Sequence, residues 1–145
     1  MVEQVSVFLE NRSGRLAELA RALADAGINM RALMVADTES FGVVRVICDR
    51  PHRAKQVLEE GGFGASLTNV LAVEMPDRPG GLADVLETLG EADINVEYAY
   101  AFVEPGSDVA VDIFKVDDER AGGVLAEAGL NVIDAEKLYV LDGAD

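Results

Sequence analysis

Apolar and polar positions change period along this chain, and each change marks an element. Val5, Val7 and Leu9 alternate with Ser6 and Phe8, which predicts a strand. Asn11-Arg12-Ser13-Gly14 reads as a turn, with Ser13 placed to cap the helix that follows. Leu16, Leu19, Ala20 and Leu23 then recur at i, i+3, i+4 and i+7, one helix face, and Gly27 ends that helix from the C′ position. Ile28 to Ala36 predicts a second strand, Glu39-Ser40-Phe41-Gly42 a turn, and Val43 to Asp49 a third strand. Pro51 can open a short helix carrying Ala54, Val57 and Leu58, which Gly61-Gly62 stops.

The same order then returns. Asn11-Arg12-Ser13-Gly14-Arg15-Leu16-Ala17 lies over Asp77-Arg78-Pro79-Gly80-Gly81-Leu82-Ala83 at an offset of 80 − 14 = 66 residues. That offset also aligns Leu23 with Leu89, Gly27-Ile28-Asn29-Met30 with Asp93-Ile94-Asn95-Val96, Val43 with Val109 and Ile47 with Ile113. The chain is two copies of one unit. In the second copy Leu71 to Met75 is the first strand, and Leu82, Val85, Leu86 and Leu89 face inward from the first helix. Ile94 to Val103 and Val109 to Val116 form a hairpin around Glu104-Pro105-Gly106-Ser107, and Val124, Leu125 and Ala128 lie on a helix weakened by Gly122-Gly123. This βαββαβ order is the α+β, ferredoxin-like plan, an antiparallel sheet with its helices on one face.

The division expected is residues 1–68 and 69–145, the two units packed as a pseudo-dimer. Gly62-Phe63 matches Gly129-Leu130 at an offset of 67, and the same register lays Val70 to Val73 over Lys137 to Val140. Val70 to Met75 therefore resembles both a first and a last strand. The economical reading interleaves the units, with a C-terminal strand at 137–142 completing the first.

The matched residues resemble the signature of the ACT domain: a strand, then Asp/Asn-x-Pro/Ser-Gly-x-Leu, a helix, and Gly/Asp-Ile-Asn-Val/Ile opening the second strand. The whole chain is similar to stand-alone tandem ACT proteins of the amino-acid-binding regulatory type, and the interleaving is similar to the paired ACT units of aspartate kinases. The resemblance implies a small ligand, often an amino acid, between two units. One site would combine Asn11, the backbone of Ser13, Gly14, Arg15 and Leu16, and Asn95. Its pseudo-equivalent would combine Asp77, the backbone of Pro79, Gly80, Gly81 and Leu82, and Asn29. The chemistry of the turn agrees with this. A helix N-terminus favours a carboxylate, and an asparagine amide offers both donor and acceptor. Asp77 is anionic and Pro79 lacks an N–H, so the Asn11 site is favoured for an amino-acid carboxylate. Each asparagine also has a plain structural reading, a bond that closes its own turn.

Charge and composition then remove alternatives. With 12 Lys+Arg against 27 Asp+Glu, the net charge of −15 argues against nucleic acid and against an anionic membrane surface. One cysteine excludes an internal disulfide framework and a cysteine-based zinc cluster and suits a reducing cytoplasm. No basic leader is visible, and no stretch reaches the roughly 18 apolar residues of a membrane helix. His52 has no ligand set beside it and reads as a surface residue, Cys48 alternates with Val44 and Val46 and reads as buried packing, and Tyr98 and Tyr100 share one strand face. No residues cluster for acid–base work, and the Gly-rich, Arg-centred phosphate loop of an acylphosphatase-like hydrolase is absent. The expectation is a cytoplasmic, non-catalytic regulatory protein without metal or cofactor, a homodimer that binds an amino acid and acts on a metabolic enzyme. The alternative is a structural or assembly module, or a regulatory subunit with no free ligand of its own.

Overall fold

The structure, a computed structural model, describes residues 1–37 and 40–144. The chain forms two compact units, one of Glu3–Thr68 with Ala135–Asp145, the other of Asn69–Asp134 with Met1–Val2. The first holds β1 (Val2–Glu10), α1 (Arg15–Asp25), β2 (Met30–Asp37), β3 (Phe41–Cys48), α2 (Pro51–Glu60) and the opening residues of β4 (Gly64–Pro76). The second holds the rest of β4, then α3 (Gly81–Glu91), β5 (Val96–Val103), β6 (Val109–Val116), α4 (Ala121–Glu127) and β7 (Asn131–Val132). Each is α+β on the expected plan, with strand order β2-β3-β1-β4 in the first and β5-β6-β4 in the second, where β7 also pairs with β4.

Side-chain alternation builds the cores. Val5, Val7 and Leu9 of β1 and Val44, Val46 and Cys48 of β3 pack with Leu19 and Leu23 of α1 and Ala54 and Leu58 of α2. Leu71, Val73, Met75, Phe114 and Val116 pack with Val85, Leu89, Ala121 and Leu125 in the second unit. Cys48 is buried as expected, and burial, followed by the charges of Asp49 and Asp142, pushes its thiol up to about 12. His52 is exposed and reaches the Glu3 carboxylate at 2.8 Å.

Several expectations need correction. Ser13 does not cap α1. Gly14 occupies that position at φ 86°, with no side-chain cap bond, a conformation costly to any residue with a Cβ. Leu16, Leu82 and Leu86 are exposed rather than inward, because the buried stripes of α1 and α3 narrow to Leu19 with Leu23 and Val85 with Leu89. The turn expected around Glu39 lies partly outside the described residues, and Phe41 and Gly42 already belong to β3. The 66-residue offset does not extend through the third strand. Val7 pairs with Val44, whereas Val73 pairs with Asp112, so β3 matches β6 at 112 − 44 = 68. The second hairpin is two residues longer, and Val43 and Ile47 therefore do not match Val109 and Ile113.

The segment 137–142 is not a strand. Ala135–Lys137 is a 3-10 turn, and the chain beyond it is irregular. The place beside β1 is already taken by the opening residues of β4, where Ser6 Oγ and Thr68 Oγ1 lie 2.9 Å apart. The tail nevertheless belongs to the first unit. Tyr139 is buried and its hydroxyl accepts the Glu3 N–H at 3.0 Å. Val140 donates its N–H to Asp49 Oδ1 at 2.8 Å and accepts the Arg50 N–H at 2.7 Å.

Candidate functional site

The two glycine turns are built alike. In the first, Asn11 donates its N–H to Ser40 O at 3.1 Å, Arg12 to Glu10 O at 2.9 Å, and Arg15 to Arg12 O at 3.3 Å. In the second, Asp77 donates to Asp108 O at 2.8 Å, Arg78 to Pro76 O at 3.0 Å, and Gly81 to Arg78 O at 3.0 Å. Gly14 and Gly80 stand at φ 86° and 90°. Each turn thus delivers the chain to a helix start whose next N–H groups, Leu16 with Ala17 and Leu82 with Ala83, have no acceptor within the helix and receive none from the turn. Amides left without an acceptor at a helix start can receive an anion.

At the first turn lies a hollow of about 120 Å³ lined by Leu9, Glu10, Asn11, Arg12, Leu16, Val35 and Gly42. Its walls are mainly apolar. The exposure of Leu16 is explained here, since this side chain borders the hollow instead of entering the core. Arg15 is placed differently from the other turn residues. Its guanidinium bonds Glu10 at 3.0 Å and Glu18 at 2.7 Å and lies 4.0 Å over the Phe63 ring. Those carboxylates, the Glu18 hydrogen bond first, hold its pKa above the usual arginine value. The Arg15 charge is therefore committed within its own unit, and only its backbone belongs to the turn.

Asn11, Asn29 and Asn95 are exposed, and their side chains make no hydrogen bond with the described residues. Backbone groups close their turns instead. Ile28 N–H reaches Leu23 O at 3.0 Å and Ile94 N–H reaches Leu89 O at 2.9 Å, with Gly27 and Asp93 at positive φ. At the Asn29 and Asn95 turns, the closing bonds are thus made by the main chain. Within the first unit, Asn11 adjoins Ser40 at one end of the sheet and Asn29 adjoins Asp49 at the other. Asn11 and Asn29 are therefore not brought together, and neither are Asp77 and Asn95, which stand in the corresponding places of the second unit. Sequence reasoning missed Leu9, Val35 and Gly42 as walls of the hollow. The β1–β3–β2 register brings them to one end of the sheet, and the alternation of β1 and β2 was the available signal.

Among the described residues, no group of three or more His, Cys, Asp or Glu is placed to hold a metal ion, and no helix is long and apolar enough to cross a membrane. The sequence matches the family described as an ACT domain pair over residues 1–141. The chain belongs to the ACT domain family. This ACT pair is similar to a crystallised protein from Bacteroides thetaiotaomicron, with 34% identity over 94% of each chain and a TM-score of 0.89. It shares its fold with the regulatory subunit of aspartate kinase from Thermus thermophilus in its ligand-free form, at 18% identity, 88% of this chain, 90% of that one and a TM-score of 0.68. The corresponding subunit from Thermus flavus, at 18% identity and the same coverage, gives a TM-score of 0.65. A search of curated proteins finds no match. The chain is an ACT domain pair with the fold seen in those subunits.

Proposed function

We propose that this ACT pair is a cytoplasmic, non-catalytic regulatory protein that binds a free, neutral amino acid at the Asn11 turn. The ligand carboxylate meets the Leu16 and Ala17 amides, its side chain enters the hollow between Leu16 and Val35, and Asn11 and Asn95 hold its polar groups across the two units. The pseudo-equivalent site pairs the Asp77 turn with Asn29. In this reading the protein is a homodimer that transmits occupancy to a metabolic enzyme. The observation that carries the reading is that the Asn11 side chain, in the wall of an apolar hollow that Leu16 also lines, makes no hydrogen bond with the described residues. Glu10 on the rim disfavours an acidic ligand.

A thermal-melt screen of the amino acids identifies the ligand, since binding to the folded state alone raises stability by mass action. Calorimetry on three variants then tests the site. Asn11→Ala and Asn95→Ala should each cost on the order of 1–3 kcal/mol of binding, while Asn29→Ala spares this site and weakens the other. Wild-type affinity in the first two variants would refute the cross-unit site. Absence of binding by any amino acid at millimolar concentration would leave an assembly module, which the exposed Phe8 and Phe41 favour.

A further inference from the structure

The second core contains a carboxyl group where the first has a methyl-bearing side chain. Along β6, Ala110, Phe114 and Val116 enter the core, and Asp112 stands on the same face between them. Its partner on β4 is the buried Val73, and its partner on β5 is Ala101. Asp112 is 2% exposed, and its Oδ2 is buried without a hydrogen-bond partner among the described residues. By strand pairing the matching residue of the first unit is Val44, fully buried in that core. A buried, unpartnered carboxyl is costly, and far more so ionised than protonated.

Among the described residues, the surroundings offer the carboxylate no compensating charge. β4 presents Leu71, Val73 and Met75 to this face, and β5 presents Ala99, Ala101 and Val103. The buried residues of the helices are Gly81, Val85 and Leu89 on α3 and Ala121 and Leu125 on α4. The charged residues of these elements are committed elsewhere or turned outward. Glu74 accepts from Asn131, Glu97 pairs with Lys115, Asp84 pairs with Arg78, and Glu87, Glu91 and Glu127 are exposed. Burial alone lifts the Asp112 carboxyl to about 6. The unit that carries this group is also the more lightly built. α4 has seven residues, with Gly122 and Gly123 in its first turn, and β7 has two.

We propose that Asp112 makes the second unit a proton-sensitive element, closed when the carboxyl is protonated and locally opened across β5 and β6 when it ionises. The sign follows from linkage. The folded state holds this proton more tightly than the unfolded chain, so stability is highest at low pH and is lost as pH rises through the folded value. Because Asp112 neighbours Ala101 and lies two residues from Ala110, which match the hollow-lining Val35 and Gly42, the opening would be felt beside the Asp77 turn.

Hydrogen exchange of the full chain at pH 5 and pH 7.5, corrected for intrinsic rates, tests this in the wild type and in Asp112→Asn and Asp112→Val. In the wild type, protection of Val96–Val103 and Val109–Val116 should fall roughly 10-fold at the higher pH, with Glu3–Thr68 unchanged. Both variants should lose this dependence. No fall in the wild type, or a fall that persists in Asp112→Asn, overturns the proposal. So does a carbon-13 titration that places the Asp112 midpoint near the ordinary aspartate range.

Discussion

Helix α2 has no cap of its own. Arg50 occupies the N-cap at φ 47° and makes no side-chain cap bond. The Asp142 carboxylate does that work from the far end of the chain, accepting the N–H of His52 at 3.0 Å and of Arg53 at 2.9 Å. Removing it with Asp142→Ala strips two first-turn amides of their acceptor and a negative charge from a helix N-terminus. The cap is worth about 1 kcal/mol and the charge a further 0.3–1 kcal/mol, so the expected loss is about 1–2 kcal/mol, a roughly 5- to 30-fold fall in α2 protection. Asp142→Asn keeps an acceptor oxygen and should lose less. Hydrogen exchange over Pro51–Glu60 reads this directly, with α3 as the internal control. Protection within twofold of wild type in Asp142→Ala would refute the capping role. Deletion after Asp134 removes Tyr139 and Val140 as well and should destabilise the whole of Glu3–Thr68. A truncated chain whose β1 and α2 amides stay fully protected would show that the tail is not part of that unit.

The remaining tail and core contacts give sharper single-site tests. Tyr139→Phe keeps the buried ring and removes the acceptor for Glu3 N–H, so denaturation midpoints should report a loss of about 1 kcal/mol; no change would mean that water satisfies Glu3 equally well. With its thiol pushed up to about 12, Cys48 should resist alkylation at pH 8 in the folded protein and react readily in denaturant, and native labelling at the rate of a free cysteine would contradict the burial assigned to it.

What was legible in the sequence followed from local chemistry repeated at one spacing. Strand alternation, the Gly14 and Gly80 turns, Pro51 at the start of α2 and Gly27 after α1 all act within a few residues, and each is found in the structure. The misreadings occurred where a local signal competed with a tertiary one. Leu16 fits the helical stripe, but the stripe reaches past the core to the hollow, so a hydrophobic residue is left exposed at the candidate site itself. The 137–142 segment has a strand-like apolar pattern, but the sheet position it would fill is taken by β4, whose length serves both units. Asp142 gives no sequence signal at all, because its partners lie about 90 residues upstream and neither periodicity nor spacing links them. Asp112 was concealed by the extra two residues of the second hairpin, since an ungapped offset pairs it with Val46 instead of Val44.

The two turns, alike in hydrogen bonding, differ at one position in a way that can be tested. Arg15 opens α1, and its counterpart Gly81 opens α3. A Cβ built on Gly81 would lie 2.4 Å from the Pro76 carbonyl oxygen, a backbone atom that cannot swing aside as a side chain can. The second helix start is therefore drawn tightly against the end of β4, and the neighbouring Pro79 restricts both its own φ and the residue before it. Gly81→Ala must displace backbone and should cost about 2–3 kcal/mol, read as a lower denaturation midpoint with faster exchange confined to the second unit. Gly14→Ala is the control: a Cβ there meets nothing within 4 Å, so only the positive φ opposes it, at about 1–2 kcal/mol. If Gly81→Ala costs no more than Gly14→Ala, the two turns are interchangeable and the preference for the first as the carboxylate site loses its geometric support. If the costs separate as expected, the second turn is the more constrained. With one N–H fewer at Pro79 and an anionic Asp77 beside it, that turn is the poorer host for a carboxylate.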